Sequence, residues 1–182
     1  RGQGDPLTGR FKPPAGARFV GVLMGGADTA VLLASSAGFG FVGKLGDMVT
    51  KNKAGKAVLS VPAGGAALMP TTIGDRAIED CWVASITDQG RMLVFPLSEL
   101  PELSRGKGNK LINVPTAAFK SGEECMIDIA VITAEDELVV HAGQRHLRLK
   151  HKDLDNYMGE RARRGRKLPR GFQKVDRLSV NT

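Results

Sequence analysis

The sequence is poor in the residues that build covalent or metal-dependent sites. It has two cysteines, Cys81 and Cys125, 44 residues apart and without C-x-x-C spacing. Neither a disulfide framework nor a zinc site is indicated, and each cysteine, standing at the start of an apolar stretch, reads as a small buried hydrophobe. Aromatic residues are few, with one Trp, one Tyr and seven Phe in 182 residues. No apolar run approaches the roughly 20 residues that a membrane span requires, and no basic-then-apolar leader opens the chain. A membrane protein is excluded on this reading, and a reducing, cytoplasmic setting is expected. The chain opens on Arg, not Met, and reads as a piece of something longer.

Glycine and positive charge are abundant. There are 23 Gly, and 26 Lys+Arg stand against 19 Asp+Glu for a net charge of +7. With 42% hydrophobic residues the chain can bury a core, and its glycine content points to a turn-rich β protein. The charge is uneven: residues 1–50 carry +2, residues 51–104 carry −1 and residues 105–182 carry +6. The stretch from His141 to Arg177 holds twelve Lys/Arg against four acidic residues and favours polyanions.

A repeat of about fifty residues organises this charge. Four segments share a basic, glycine-centred pattern followed by an apolar residue: RGQGDPL from Arg1, NKAGKAVL from Asn52, RGKGNKL from Arg105 and RRGRKL from Arg163. Their glycines, Gly4, Gly55, Gly108 and Gly165, are spaced by 51, 53 and 57. A second marker has the same period. The segments 31–45, 82–96 and 138–150 each read as strand, Gly-bearing turn, strand, and their turn glycines Gly38, Gly90 and Gly143 are 52 and 53 apart. After each hairpin comes a short polar connection with one helical turn, then the basic motif in a loop, then a further strand over 57–62 or 110–115. The fold class is all-β: a propeller-like array of about three blades, with repeats at about 1–50, 51–104 and 105–160 and a closing segment at 161–182. Three blades rarely close a ring, so one edge is expected to be exposed.

Equivalent positions on stacked blades fall on one rim, so charges repeated at blade spacing form a track. The candidates are Arg1 and Arg10 in the first loop; Lys51, Lys53 and Lys56 in the second; Arg105, Lys107 and Lys110 in the third; and Arg161, Arg163, Arg164, Arg166 and Lys167 in the fourth. Lys and Arg neutralise phosphates without reading bases, and the interleaved glycines let a phosphate approach the backbone N–H groups. Sequence-independent binding of double-stranded DNA is the expectation, with bending favoured by a curved rim. The scarcity of aromatics among these basic residues argues against stacking on single strands. Catalytic residues and metal ligands are not identifiable.

The segments RGQGDPLTG (1–9), LLASSAGFGFV (32–42), KNKAGKAVL (51–59), GRMLVFPLSELPELSRGKGNKLINVP (90–115) and GERARRGRKLPRGFQKVDR (159–177) resemble the C-terminal domain of the A subunit of bacterial DNA topoisomerase IV, of the type IIA topoisomerases. The resemblance implies a β-pinwheel, whose blades exchange strands with their neighbours, and an outer basic rim that binds and bends duplex DNA. It further implies that the domain presents DNA to a catalytic core and tunes its preference for decatenation and supercoil relaxation. On this resemblance, ATP and Mg²⁺ belong to other domains, and no cofactor is expected here. The implied partners are DNA, the rest of the same polypeptide and, through it, the B subunit of the topoisomerase, with contacts to a bacterial condensin. The implied location is the nucleoid. The basic motifs are degenerate forms of the glutamine-led box of gyrase A, so gyrase-type wrapping is not expected. A second reading is a protein-interaction module, which would show an exposed apolar patch around the broken edge.

Three sharper motifs are set aside. Gly38, Gly40 and Gly43 match G-x-G-x-x-G but lie in an expected hairpin, not a strand-to-helix turn. His141, His146 and His151 are five residues apart, which along one strand alternates faces and disfavours a shared metal. The acidic clusters Glu123/Glu124 and Glu135/Asp136/Glu137 are expected in surface turns, and Tyr157 is expected to be structural.

Overall fold

The computed structural model describes residue 2 and residues 4–182. Eleven strands form three antiparallel sheets: β1 (Ala30–Ser35), β2 (Phe39–Lys44), β3 (Thr71–Gly74), β4 (Trp82–Thr87), β5 (Arg91–Pro96), β6 (Asn109–Lys110), β7 (Met126–Ile132), β8 (Glu137–Ala142), β9 (Arg145–Leu149), β10 (Arg166–Lys167) and β11 (Arg177–Asn181). All three expected hairpins form: β1 with β2, β4 with β5 and β8 with β9. Their turn glycines are left-handed, at φ +87° for Gly38, +70° for Gly90 and +58° for Gly143. The expected helical turns follow each hairpin at Leu45–Met48, Leu97–Glu99 and His151–Leu154.

Each sheet is assembled from more than one repeat. The first has the order β3-β1-β2-β6, the second runs β7-β4-β5-β10, and the third is β11-β8-β9. The strand after a basic motif thus returns to the hairpin before it, while the next basic motif supplies the opposite edge. This is strand exchange between neighbouring blades, and it makes the sequence repeat and the structural blade different units.

The second sheet lies between two cores. Val83, Leu93, Phe95, Met126, Ile129 and Val131 pack with Leu32, Ala34 and Val42 of the first sheet. From the opposite face, Ala84, Ile86, Met92, Val94, Ala130 and Ile132 pack with Leu138, Val140, Leu149 and Leu178 of the third. Burial on both faces is why WVASIT and RMLVF read as continuous apolar runs without alternation. Strand β9 alternates, because only Leu149 and the half-buried Leu147 face a core.

The strands expected at 57–62 and 110–115 are much shorter. The first is a single bridge at Leu59, and the second is β6 alone, followed by a helix at Thr116–Ser121. Leu111 and Ile112 are both fully buried, so the chain turns into the core there and does not run on along the sheet edge. Residues 19–22 lie 52 before β3 but pair with no hairpin among the described residues, and Phe19, Val22 and Met24 are exposed at 50%, 72% and 85%.

Candidate nucleic-acid interface

The order of the sheets places the basic motifs. Strands β3, β7 and β11 occupy one edge of their sheets and pack side by side, β3 on β7 and β7 on β11. Strands β6 and β10, which carry the third and fourth basic motifs, lie at the opposite, outer edge. Lys110 pairs with Phe39 of β2, and Lys167 pairs with Arg91 of β5.

The motif glycine is what seats each outer strand. Gly108 has φ +78° and Gly165 has φ +70°. A Cβ on Gly108 would run into the Gly40 carbonyl, and one on Gly165 would fall 2.5 Å from the Met92 carbonyl oxygen. Three residues later the two motifs repeat the same bond: the Leu111 N–H donates to the Gly38 carbonyl at 2.7 Å and the Leu168 N–H to the Gly90 carbonyl at 2.8 Å. At both motifs the glycine is what lets backbone pack on backbone.

The second, third and fourth motifs, and the segment after the first, are joined by backbone hydrogen bonds. Just past the first motif, the Lys12 N–H donates to the Lys53 carbonyl of the second at 3.1 Å. The second and third are tied at 2.8 Å by Gly106 N–H to the Val58 carbonyl and Ser60 N–H to the Gly106 carbonyl. The third and fourth are tied by Ala162 N–H to the Leu111 carbonyl at 2.8 Å and Asn113 N–H to the Arg163 carbonyl at 2.9 Å. The second, third and fourth loops are thus contiguous.

The cations of these loops are used in three ways. Lys51, Lys53, Arg105, Lys107, Arg166 and Lys167 are exposed and, among the described residues, form no ion pair. Lys107 sits over the Phe39 ring at 4.3 Å from its centroid. Lys56 is exposed and donates to the Asp47 carbonyl at 2.5 Å, Lys110 is half-buried and donates to Asn113 Oδ1 at 3.1 Å, and Arg163 pairs with Glu160 at 2.7 Å in the open. Arg161 and Arg164 hold the fourth loop on the third. Arg161 Nη1 donates to the Lys110 carbonyl at 2.6 Å, and Arg164 Nη1 donates to the Asn113 carbonyl at 3.1 Å and to Glu124 Oε1 at 2.8 Å. Arg164 Nη2 completes a fork on Glu124 Oε2. Arg1 lies outside the described residues.

Glu124 does not sit in the surface turn that its sequence neighbours predict: it is only 4% exposed, because the Arg164 guanidinium compensates its burial. Burial pushes its carboxyl pKa up, yet hydrogen bonds from Arg164 and Thr87, with the Arg164 charge, outweigh this and hold it below the ordinary 4.5. Asp136 is also buried, accepting bonds from the Thr133 N–H at 2.8 Å and its hydroxyl at 3.1 Å. His141 and His146 do not alternate faces: the Gly143 turn separates them, so they are cross-strand partners with ring centroids 4.7 Å apart. The Gly38, Gly40 and Gly43 motif lies in the β1–β2 hairpin. Cys81 is buried and Cys125 half-buried, and burial raises both thiol pKa values, that of Cys125 to about 11. Tyr157 is buried in the second core.

Sequence reasoning missed the partners that aim this rim. Arg91 Nη1 reaches the Gly165 carbonyl at 3.3 Å, and Asn113 receives both Lys110 and Arg164. Arg91 could have been found as the cation flanking the turn glycine Gly90. Glu124, 40 residues from Arg164, carries no such signal.

Comparison with known proteins agrees with this architecture. The family described as DNA gyrase C-terminal domain, beta-propeller, matches residues 82–126. The DNA topoisomerase 4 A subunit of Pseudomonas aeruginosa is 51% identical over 181 residues, covering 100% of this chain and 24% of its own length. Its counterpart in Escherichia coli K12 is 43% identical over 182 residues, with the same coverage of 100% and 24%. The chain therefore spans about a quarter of the length of these curated relatives. Among solved structures, a DNA gyrase A C-terminal domain shares the fold at TM-score 0.73 and 15% identity, covering 95% of this chain and 57% of that one. The E. coli ParC C-terminal domain aligns at TM-score 0.89 and 41% identity, covering 100% of this chain and 72% of that one. With these sheets, this strand exchange and that degree of identity, the chain belongs to the family of the C-terminal domain of the DNA topoisomerase 4 A subunit.

Proposed function

We propose that the chain is a duplex DNA-binding and DNA-bending module of a type IIA topoisomerase, reading phosphates and not sequence. The observation that carries this is the hydrogen-bonded succession of the second, third and fourth basic loops. The exposed, unpaired cations Lys51, Lys53, Arg105, Lys107, Arg166 and Lys167 are its primary contacts. Lys56, Lys110 and Arg163, which keep their charge on the rim, assist. Arg161 and Arg164 act by fixing the fourth loop, and Arg1 of the first motif is a further candidate contact. Lys ammonium groups and Arg guanidinium groups release counterions from phosphates at any sequence, which suits a domain that must accept any DNA segment.

In the longer polypeptide such a rim would present DNA to the catalytic core and bias it toward decatenation and supercoil relaxation. Its partners would be the rest of that polypeptide and, through it, the B subunit of the topoisomerase, and its setting the chromosome. Cofactor chemistry with ATP and Mg²⁺ would be supplied by other domains.

Fluorescence anisotropy of a random duplex of about 40 base pairs across a salt series tests the reading. Binding is expected to fall steeply, linearly in log K against log salt. Replacing Lys107, Arg166 and Lys167 together by Ala should make the slope shallower by about 0.9 for each phosphate no longer neutralised. Absence of binding at low salt would overturn the proposal for this chain. The exposed apolar segment at 19–24 would then favour a protein-interaction role, with a chromosome-organising condensin as the partner to try.

A further inference from the structure

We propose that the hollow between the tip of the first hairpin and the helix at Thr116–Ser121 binds a small aromatic anion, a single ring bearing a phosphate, sulfonate or carboxylate group. The hollow measures about 290 Å³. Phe39, Pro62, Val114 and Phe119 give it apolar walls, and Lys107, Lys110 and Lys120 line the same space. No carboxylate lines it, and none of the three lysines forms an ion pair among the described residues. The positive field in the hollow is therefore uncompensated, and its apolar walls strengthen that field by lowering the local dielectric.

This is the composition of a ligand site: a mostly apolar concavity with a few convergent polar groups. Its volume is at the small end for such sites, which fits one ring and not a larger fused system. Phe39 already lies beneath Lys107 and, at 5.7 Å, beneath Lys110, so its face is held in place at the edge of the hollow. A second ring entering beside it would bury its face against Phe119 and Val114. Its anionic group would meet Lys107 and Lys110 on one side or Lys120 on the other. The three rotatable donors of each ammonium suit a tetrahedral oxyanion as well as a carboxylate. Duplex DNA is a poor occupant, since it offers phosphates but keeps its rings stacked in the helix.

Phenyl phosphate is the probe, with phenol and inorganic phosphate as controls, followed by NMR shifts in isotopically labelled chain. Saturable shifts are expected at Val114 and Phe119, with binding at least tenfold weaker for either control. Ala63→Trp should fill the hollow from an exposed position that contributes no charge, and weaken phenyl phosphate at least tenfold. Lys120→Glu should weaken it at least fivefold, and both variants should keep duplex affinity within about twofold, because neither residue belongs to the cations assigned to DNA. The proposal is overturned by an absence of saturable shifts, by shifts that map to residues 19–24, by inorganic phosphate binding as tightly as phenyl phosphate, or by unchanged affinity in both variants. The titration contains no DNA, so a failure of the chain to bind duplex would leave this site standing.

Discussion

Arg164 shows how a residue counted as a surface cation can be structural. Its fork on Glu124 buries a carboxylate to 4% exposure and ties the fourth basic loop to the loop before β7. Arg164→Ala would strand Glu124 without its partner, at a cost of about 1–3 kcal/mol or more. The sign of the pH dependence follows from the direction of the shift. With Arg164 present the folded-state carboxyl lies below its ordinary value of 4.5, so its contribution is full above that pH and is lost as pH falls through the folded value. Without Arg164, burial is opposed only by the Thr87 hydrogen bond and the Arg91 charge and the folded value rises, so the variant is penalised while Glu124 is ionised and relieved as it protonates. Urea denaturation at pH 7 and pH 4 should therefore show the stability gap between the two proteins narrowing at the lower pH. A gap that is constant or grows would mean that the pair does not hold the loop.

The outer strand is the element on which the rim depends, and its seat rests on one glycine. The four motif glycines share the left-handed conformation, at φ +76° for Gly4, +91° for Gly55, +78° for Gly108 and +70° for Gly165. Only Gly108 and Gly165 also lie against a hairpin; nothing stands within 4 Å of a Cβ on Gly55. Gly55→Ala should cost only the strain of a left-handed alanine, roughly 1–2 kcal/mol. Gly108→Ala and Gly165→Ala add a clash with backbone and should lower Tm at least twice as far. They should also weaken duplex binding without removing a charge, because β6 and β10 would lose their seats. Equal Tm losses at the three positions would show that the outer strands are not packed as described. The hairpins and glycines were legible in the sequence because they are local: a left-handed turn needs glycine wherever it occurs. The strand exchange was not legible in the residues themselves, since β6 pairs with a hairpin some 70 residues earlier and pairing at that distance leaves no periodicity. For the same reason the sequence ranks Arg161 and Arg164 beside Arg166, although the first two face backbone and carboxylate partners 51 and 40 residues away.

At the scale of the molecule, three sheets stack through two cores, the third and fourth basic motifs lie on the outer edges of the first two sheets, and the second motif is hydrogen-bonded to the third. Two adjacent contacts define only a line, whereas a third that lies off that line defines a curve. On the proposed reading, DNA that touches the second, third and fourth motifs together would bend, while DNA that touches two of them need not. Bending a site of 20–30 base pairs by 40–90° costs about 1–6 kcal/mol, which added phosphate contacts must offset. A duplex labelled at both ends should accordingly show higher energy transfer when bound. Replacing Arg166 and Lys167 by Ala removes an end of the arc and should lower the transfer of the bound duplex as well as its affinity. Replacing Lys51 and Lys53 removes the other end and should act alike. Replacing Arg105 and Lys107, at the centre, should weaken binding more than it lowers transfer, since the outer contacts still set the curve. If all three variants lost affinity while the bound duplex kept its transfer unchanged, the curvature would have to come from somewhere other than the succession of loops along the rim.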